Sequence, residues 1–285
     1  MTRSANMKTV ISASRRTDIP AYYLKWMIDM FKEGEIRVKN PLYPKNMSRI
    51  DLGPQAVSWI VFWSRNYHQF LKWHTFFSDY NLFFHFTILS HHPMLEKIHL
   101  PVKDAIRQME NLIHLFGPKR IIWRYDPIII WQDGNQELSN YDPGEFTLLC
   151  REFAAQGIGQ CFFSFVTPYA KVLRRMRNKR PDWRLTTQTH PRYTAILDEM
   201  KTISSMYGID LFSCCNDALV SAGIQKGACI NGKALNRLSG KKIVSEAKYA
   251  GRKDCSCTKA VDIGSYVDQP CRTGCIYCYA NPLWK

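Results

Sequence analysis

The sequence lacks any hydrophobic run long enough to cross a bilayer. Its apolar segments, such as residues 56–63, are far shorter than the ~20 residues that a transmembrane helix needs. The first residues also lack the apolar stretch of a signal peptide. These absences predict a cytoplasmic protein with no membrane partner.

Acidic residues are scarce, and neither internal repeats nor low-complexity tracts are present. The 285 residues include 39 Lys and Arg against 24 Asp and Glu, which gives a net charge of +15. Hydrophobic residues make up 46% and charged residues 22%, a composition that excludes a disordered or fibrous chain. The positive charge favours anionic partners or substrates, among them nucleic acid.

The positive charge is concentrated in residues 171–192 and 226–253, each with eight Lys or Arg against a single acid. Such runs can neutralise the phosphates of a nucleic acid backbone. Trp183, which lies in the first run, is a candidate for stacking on a base. A solvated basic helix face is the alternative interpretation of both runs.

Six apolar runs have the length and the β-branched or aromatic bias of strands. They cover residues 8–13, 57–63, 82–89, 120–125, 160–166 and 209–213. Helical patterns follow them, at residues 21–32, 67–78, 101–116, 143–156, 169–178 with 191–206, and 216–222. Six βα units in succession imply an α/β fold with a parallel sheet.

Strands that are buried on both faces favour a full or partial TIM-like barrel built from these six βα units. A doubly wound open sheet is the alternative. We divide the chain into a barrel-like body at 1–222 and a cysteine-rich segment at 223–285. We expect this segment to pack over the barrel rim, so that both parts form one integrated domain.

Charged and polar residues follow the predicted strand ends. Because the carboxyl ends of barrel strands form the active-site rim, we predict that these residues converge on one cavity that faces the cysteine segment. They are Arg15, Arg16, Asp18, Arg65, Asn66, Arg124 and Asp126. Ion pairs at the barrel end are the alternative. His91 and His92, which follow the third strand, are expected in a solvated loop.

Cysteines are nearly absent from the first 213 residues, where only Cys150 and Cys161 occur. The other eight lie between Cys214 and Cys278. Because the cytosol keeps thiols reduced, such clustering points to metal or redox chemistry rather than to disulfides.

The strongest chemical signal is the triplet Cys271-x3-Cys275-x2-Cys278, with Tyr277 directly before its last cysteine. Three thiolates this close in sequence can hold three irons of a 4Fe–4S cluster and leave the fourth iron open. A zinc site or a set of buried thiols is the alternative. The spacing and the aromatic residue favour the iron–sulfur cluster.

The triplet resembles the motif of the radical S-adenosylmethionine enzymes. The resemblance implies that the open iron binds the amino and carboxylate groups of S-adenosylmethionine, a small-molecule cosubstrate whose cleavage gives a 5′-deoxyadenosyl radical. It also implies an electron donor such as flavodoxin or ferredoxin. Members of that superfamily usually carry the motif after the first strand of a (β/α)6 barrel. Here it follows all six units, and no Gly-Gly-Glu motif is visible.

The rim residues supply candidate contacts for that cosubstrate. Arg15 or Arg124 can pair with its carboxylate, and Asp18 or Asp126 can pair with its ammonium group. The candidate catalytic residues are Arg15, Asp18, Arg65, Arg124 and Asp126. The candidate cofactor-binding residues are Tyr277, at the aromatic position of the motif, Arg16 and Asn66.

A second cysteine set lies upstream of the triplet, at Cys215, Cys229, Cys255 and Cys257. Four thiolates can close a second 4Fe–4S cluster or a structural zinc site. Cys214 can replace Cys215 or be buried and inert. Scattered free thiols are the alternative.

Nearly the whole chain resembles a bacterial family of unknown function, the one numbered 1848. Four segments carry the resemblance, the last of them followed by the triplet. They are Ser12-Ala-Ser-Arg-Arg-Thr-Asp-Ile-Pro20, Phe62-Trp-Ser-Arg-Asn66, Trp123-Arg-Tyr-Asp-Pro127, and Asp254-Cys-Ser-Cys257 with Asp262-Ile-Gly264. This family implies a radical S-adenosylmethionine-like cluster and no particular reaction.

We therefore predict an enzyme that acts on an unknown substrate, anionic or nucleic acid in nature. The alternative is a non-catalytic, metal-stapled module that binds nucleic acid or senses redox state.

Overall fold

The computed structural model describes residues 7–39, 43, 45–249 and 254–283. The end of the second basic run, residues 250–253, lies outside this part. No helix within it has the length and apolar character needed to cross a membrane.

The centre of the molecule is an eight-stranded sheet in which all neighbouring strands are parallel. In spatial order the strands are β13 (Val261–Asp262), β1 (Thr9–Ala13), β4 (Val57–Ser64), β5 (Leu82–Thr87), β6 (Ile121–Ile128), β9 (Gln160–Phe165), β11 (Asp210–Ser213) and β12 (Gln225–Lys226). The six inner strands confirm the six predicted ones. Within the described residues no ladder joins β12 to β13, so a closed barrel is not shown.

Helices cover one face of this sheet. They are α1 (Ile19–Tyr22), α2 (Leu24–Glu33), α3 (His68–Trp73), α4 (Val102–Phe116), α5 (Pro143–Ala155), α7 (Pro191–Met206) and α8 (Asp217–Ser221). Their apolar sides pack on alternate strand residues such as Phe62, Phe84 and Trp123, as the two-residue period of a strand requires. The helix predicted at 21–32 is broken at Tyr23, where φ is −131°.

The cysteine-rich region covers the opposite face. Ile230, Val244 and the helix α9 (Gly232–Ser239) form a second core with the strand residues that point away from the first helices. Those strand residues are Val10, Trp59, Val61, Phe83, Ile122 and Phe162. The sheet is thus buried on both faces, which agrees with its nearly continuous apolar strands.

Two small antiparallel sheets were not predicted from the sequence. One is a hairpin of β2 (Glu35–Lys39) and β3 (Met47–Asp51), and the other joins β10 (Trp183–Leu185), β7 (Ile130–Asp133) and β8 (Gln136–Ser139). The helix α6 (Ala170–Lys179) packs beside the second of these sheets and buries Val172 and Met176. Trp183 is buried against Trp131, so its predicted stacking on a base is wrong.

Candidate metal centres

The triplet lies at the carboxyl edge of the sheet. Its loop is fixed by backbone hydrogen bonds to the segment that follows β5, where Ile276 N–H donates to Leu95 O at 2.9 Å and Lys97 N–H to Thr273 O at 3.2 Å. Tyr279 Oη donates to the carbonyl of Arg15, just past β1, at 2.6 Å. The loop therefore reaches from the segment after β5 to the end of β1, two strands between which β4 lies in the sheet.

In the triplet, Cys275 is buried, and Cys271 and Cys278 are partly exposed. Burial raises the pKa of Cys271 to about 11 and also raises the pKa values of Cys275 and Cys278. They are therefore protonated at neutral pH, and a metal must displace these protons on binding. The N–H of Ala280 donates to Cys278 Sγ at 3.3 Å, a contact of the kind that tunes iron–sulfur clusters.

A buried network holds the aromatic residue of the triplet. The Arg65 guanidinium donates to Tyr277 Oη at 3.0 Å and to Glu96 at 2.8 Å, and Tyr277 Oη donates to Glu96. Burial alone would raise the pKa of Glu96, but the charge of Arg65 and the hydrogen bonds lower it. Glu96 is therefore an anion at neutral pH, and the network is satisfied internally.

A second arginine fixes the far side of the triplet loop. Arg175 on α6 donates to the carbonyls of Ile276, Cys278 and Ala280 at 2.9, 2.7 and 3.1 Å. One side chain thus satisfies three acceptors of an irregular segment and also brings positive charge close to its thiols.

The upstream cysteines converge on Cys214. Its Sγ lies 3.3 Å from Cys229 Sγ and 3.6 Å from Cys215 Sγ. The sulfurs of Cys214, Cys229 and Cys257 lie within 4.8 Å of one another, and so do those of Cys214, Cys215 and Cys255. All four predicted ligands therefore lie around Cys214, the residue whose part in the site was left open.

Hydrogen bonds between the upstream thiols shift their pKa values in both directions. The hydrogen bond with Cys214 lowers the pKa of Cys255 to about 5 and also lowers the pKa of Cys229. Hydrogen bonds with Cys215 and Cys229 raise the pKa of Cys214 itself. The hydrogen bond with Cys214 lowers the pKa of Cys257, but the hydrogen bond with Cys229 and burial outweigh it and raise that pKa.

Arg124 donates to Cys229 Sγ at 3.3 Å from the face of β6 that points towards the cysteines. His85 Nε2 lies 2.7 Å from the Cys229 carbonyl, and since a carbonyl only accepts, this nitrogen carries the proton.

The predicted rim residues have partners around both cysteine sets. Arg124 pairs with Asp126 and Arg15 with Asp262, and both arginines lie near the upstream cysteines. Arg65 contacts Tyr277 of the triplet. Their convergence on one cavity stays a prediction.

Three of these residues also support local structure. Asp18 accepts from Ala21 N–H, Ser64 Oγ and Arg65 N–H, and burial raises its pKa to about 6. Asn66 accepts from His68 N–H at 2.9 Å at the start of α3, and Arg16 donates to the Gly264 carbonyl at 3.1 Å. Their predicted catalytic or cofactor-binding roles stay predictions.

A third group of possible ligands was missed in the sequence. Glu96, His91 and His99 offer ligand atoms within 4.8 Å of one another. The two imidazole rings stack with centroids 3.8 Å apart, and His92 packs edge-on against Trp131. His91 and His92 lie in a loop, as expected, and these ring contacts bury them in part. The close spacing of His91, Glu96 and His99 in the sequence was the signal that could have indicated this group.

The comparisons with known proteins bear on the whole of this architecture. A family model described as "Domain of unknown function (DUF1848)" matches residues 10–280. The chain belongs to this family. The match confirms the resemblance, and in this DUF1848 protein it includes both cysteine sets. No curated protein matches the chain.

Proposed function

We propose that this DUF1848 protein is a radical S-adenosylmethionine-like enzyme with a 4Fe–4S cluster on Cys271, Cys275 and Cys278. When bound, such a cluster supplies an electron for reductive cleavage of S-adenosylmethionine, which gives a 5′-deoxyadenosyl radical. The electron comes from an external donor such as flavodoxin or ferredoxin. The substrate is anionic, in keeping with the net charge of +15.

The order of strands at the sheet edge is the observation that carries this proposal. β13 lies beside β1 and runs parallel to it, with Val261 paired to Ile11. The triplet follows β13, beginning nine positions after Asp262. Read from β13, the sheet continues through β1, β4, β5, β6 and β9. The motif thus follows the first strand of a parallel series, as in the superfamily, although it comes last in the chain.

The donor set fits an iron–sulfur cluster better than a single ion. All three donors are thiols, the ligands that iron–sulfur clusters use. Their sulfurs do not all lie within 4.8 Å of one another, whereas thiolates around one tetrahedral zinc at 2.3 Å lie about 3.8 Å apart. A cube with an iron at each corner separates its cysteines more widely, which is consistent with the triplet.

The surrounding residues support this role. Arg65 and Arg175 place positive charge near the thiols, which stabilises the thiolate form that a cluster requires. Arg15 stays the candidate for the cosubstrate carboxylate, because its backbone carbonyl accepts from Tyr279 of the triplet segment, but its guanidinium pairs with Asp262 and would have to exchange that partner. Arg124 donates instead to Cys229.

For the upstream set we propose a closed structural site with a single zinc ion. Its sulfur distances of 3.3 and 3.6 Å are close to the separation that tetrahedral zinc imposes. Cys214, Cys229 and Cys257 are three of the ligands, and Cys255 or Cys215 completes the set. This site fixes the C-terminal region on the sheet and is the feature that favours the alternative function, a metal-stapled binding module.

The test is anaerobic reconstitution with iron and sulfide, reduction with dithionite and chromatography for 5′-deoxyadenosine. We expect the wild type and Cys150→Ala, which changes a buried thiol on α5, to form it. Cys275→Ala should form none. A fully reconstituted wild type that makes no 5′-deoxyadenosine contradicts the proposal and leaves the binding module as the function.

A further inference from the structure

A cleft of about 260 Å³ opens beside the triplet, between α6 and the C-terminal segment. Within the described part of the chain, the side chains that line it are all cationic or amide. They are Lys171, Arg174, Arg175, Asn178, Lys179 and Asn281. Arg175 also holds the carbonyl of Cys278, so the cleft lies directly against the proposed cluster loop.

The helical period brings the cleft residues of α6, four cations and one asparagine, onto one face of the helix. Residues 171, 174, 175, 178 and 179 are spaced by three or four positions, and such residues lie on the same side of a helix. Val172 and Met176 lie on the other side and are buried. From Lys171 to Lys179 the helix advances about 12 Å.

Among the residues that the structure describes, the cleft lining contains no carboxylate that would balance its positive charge. The cations therefore repel one another, and an anion bound in the cleft would relieve that repulsion.

Aromatic side chains adjoin the cations. Lys171 Nζ lies 5.4 Å from the centre of the Tyr266 ring. The guanidinium carbon of Arg16 lies 6.0 Å from the same ring centre. Tyr169 at the start of α6 is 37% exposed. A basic groove with adjacent aromatic rings is the arrangement that proteins use for single strands, whose bases stack on the rings.

We propose that this cleft binds the phosphate backbone of a single-stranded nucleic acid, with a base stacked on Tyr266. The volume is smaller than the ~300–1,000 Å³ of pockets that enclose a small molecule, so a polymer lying across the cleft fits better than a ligand inside it. The strand is held beside Cys278. Its role as the substrate of the radical reaction rests on the proposed function, whereas its binding does not.

The test is fluorescence anisotropy with a labelled single-stranded oligonucleotide of about 12 nucleotides, over a range of salt concentrations. The cleft variant is Lys171→Gln/Arg174→Gln/Lys179→Gln, which spares Arg175 and its carbonyl contacts. The matched control, Lys72→Gln/Lys103→Gln/Lys119→Gln, removes the same charge from exposed positions on the helical face.

The cleft variant should bind on the order of 10- to 100-fold more weakly at 0.1 M salt, and its log–log salt slope should fall by about 2. The control should retain most of the affinity. Tyr266→Ala should lose about tenfold with an unchanged slope, because stacking carries no counterion term.

Equal loss in the cleft variant and the control, or no binding by the wild type, overturns the proposal. A cleft variant that keeps its oligonucleotide affinity but no longer binds flavodoxin assigns the cleft to an acidic protein instead. Binding is measured independently of 5′-deoxyadenosine formation, so the failure of either proposal is recognised without the other.

Discussion

The pair of Arg65 and Glu96 gives the sharpest prediction for the framework of the triplet. The Glu96 side chain is 2% exposed and that of Arg65 is 20% exposed, with 2.8 Å between the charged atoms. Arg65→Met leaves an unpaired buried carboxylate, so we expect the free energy of unfolding at neutral pH to fall by about 3–5 kcal/mol. Glu96→Gln should cost less, because Arg65 keeps some access to water.

The double variant should be more stable than the sum of the single changes predicts, with a coupling of about 0.5–3 kcal/mol. Urea unfolding followed by tryptophan fluorescence measures all four species. Arg49→Met serves as the control, because its pair with Glu35 is exposed at 75% and 32% and should contribute at most about 1 kcal/mol.

The pH dependence gives an independent check of the same pair. In the folded wild type the pKa of Glu96 is lowered, so its stabilising effect is present above the unfolded value of 4.5 and is lost as the pH falls below it. Without Arg65, burial alone raises that pKa, so the deficit of Arg65→Met should shrink as the pH falls towards about 5. The reasoning is refuted if Arg65→Met loses no more free energy of unfolding than Arg49→Met does. It is also refuted if the losses of Arg65→Met and Glu96→Gln add up to that of the double variant.

Three further outcomes are expected. Arg175→Met should lower iron retention on the triplet at unchanged secondary structure, measured by iron analysis and circular dichroism, because three carbonyls lose their shared donor; full retention would count against the assigned role. Asp18→Asn should flatten the pH dependence of unfolding between 3.8 and about 6, since the raised pKa makes the wild type lose stability as the pH rises through that window; an unchanged slope there would contradict it. Cys214→Ala should reduce bound zinc from one per chain towards none and leave the iron unchanged, whereas a loss of iron would place a cluster there.

The sequence predicted the central sheet because its strands are apolar on both faces and are bounded by clear helical patterns. All six runs, such as residues 57–63, became inner strands. The two-residue edge strands β12 and β13 had no such signal. Their pairing is determined by the fold of the C-terminal region rather than by local propensity, and β13 is what explains the position of the triplet.

The candidate sites were only partly predictable for a similar reason. The cysteine spacing marked the triplet, and the clustering marked the upstream set. The central position of Cys214 depends on the turn at Cys215, where φ is +57°, and no sequence pattern showed it. Glu96 and Arg175 contact the triplet across 181 and 103 residues of chain, a separation that local patterns do not reveal.

One measurement tests the central claim most directly, namely Mössbauer spectroscopy of the chain reconstituted anaerobically with ⁵⁷Fe, before and after addition of S-adenosylmethionine. A cluster on Cys271, Cys275 and Cys278 has one iron without a protein ligand. We predict that one iron in four changes its spectrum when the cosubstrate is added, and that Cys275→Ala abolishes this change. The assignment would be contradicted if the spectrum showed four equivalent irons that do not change when the cosubstrate is added. It would also be contradicted if the spectrum of Cys275→Ala changed as that of the wild type does.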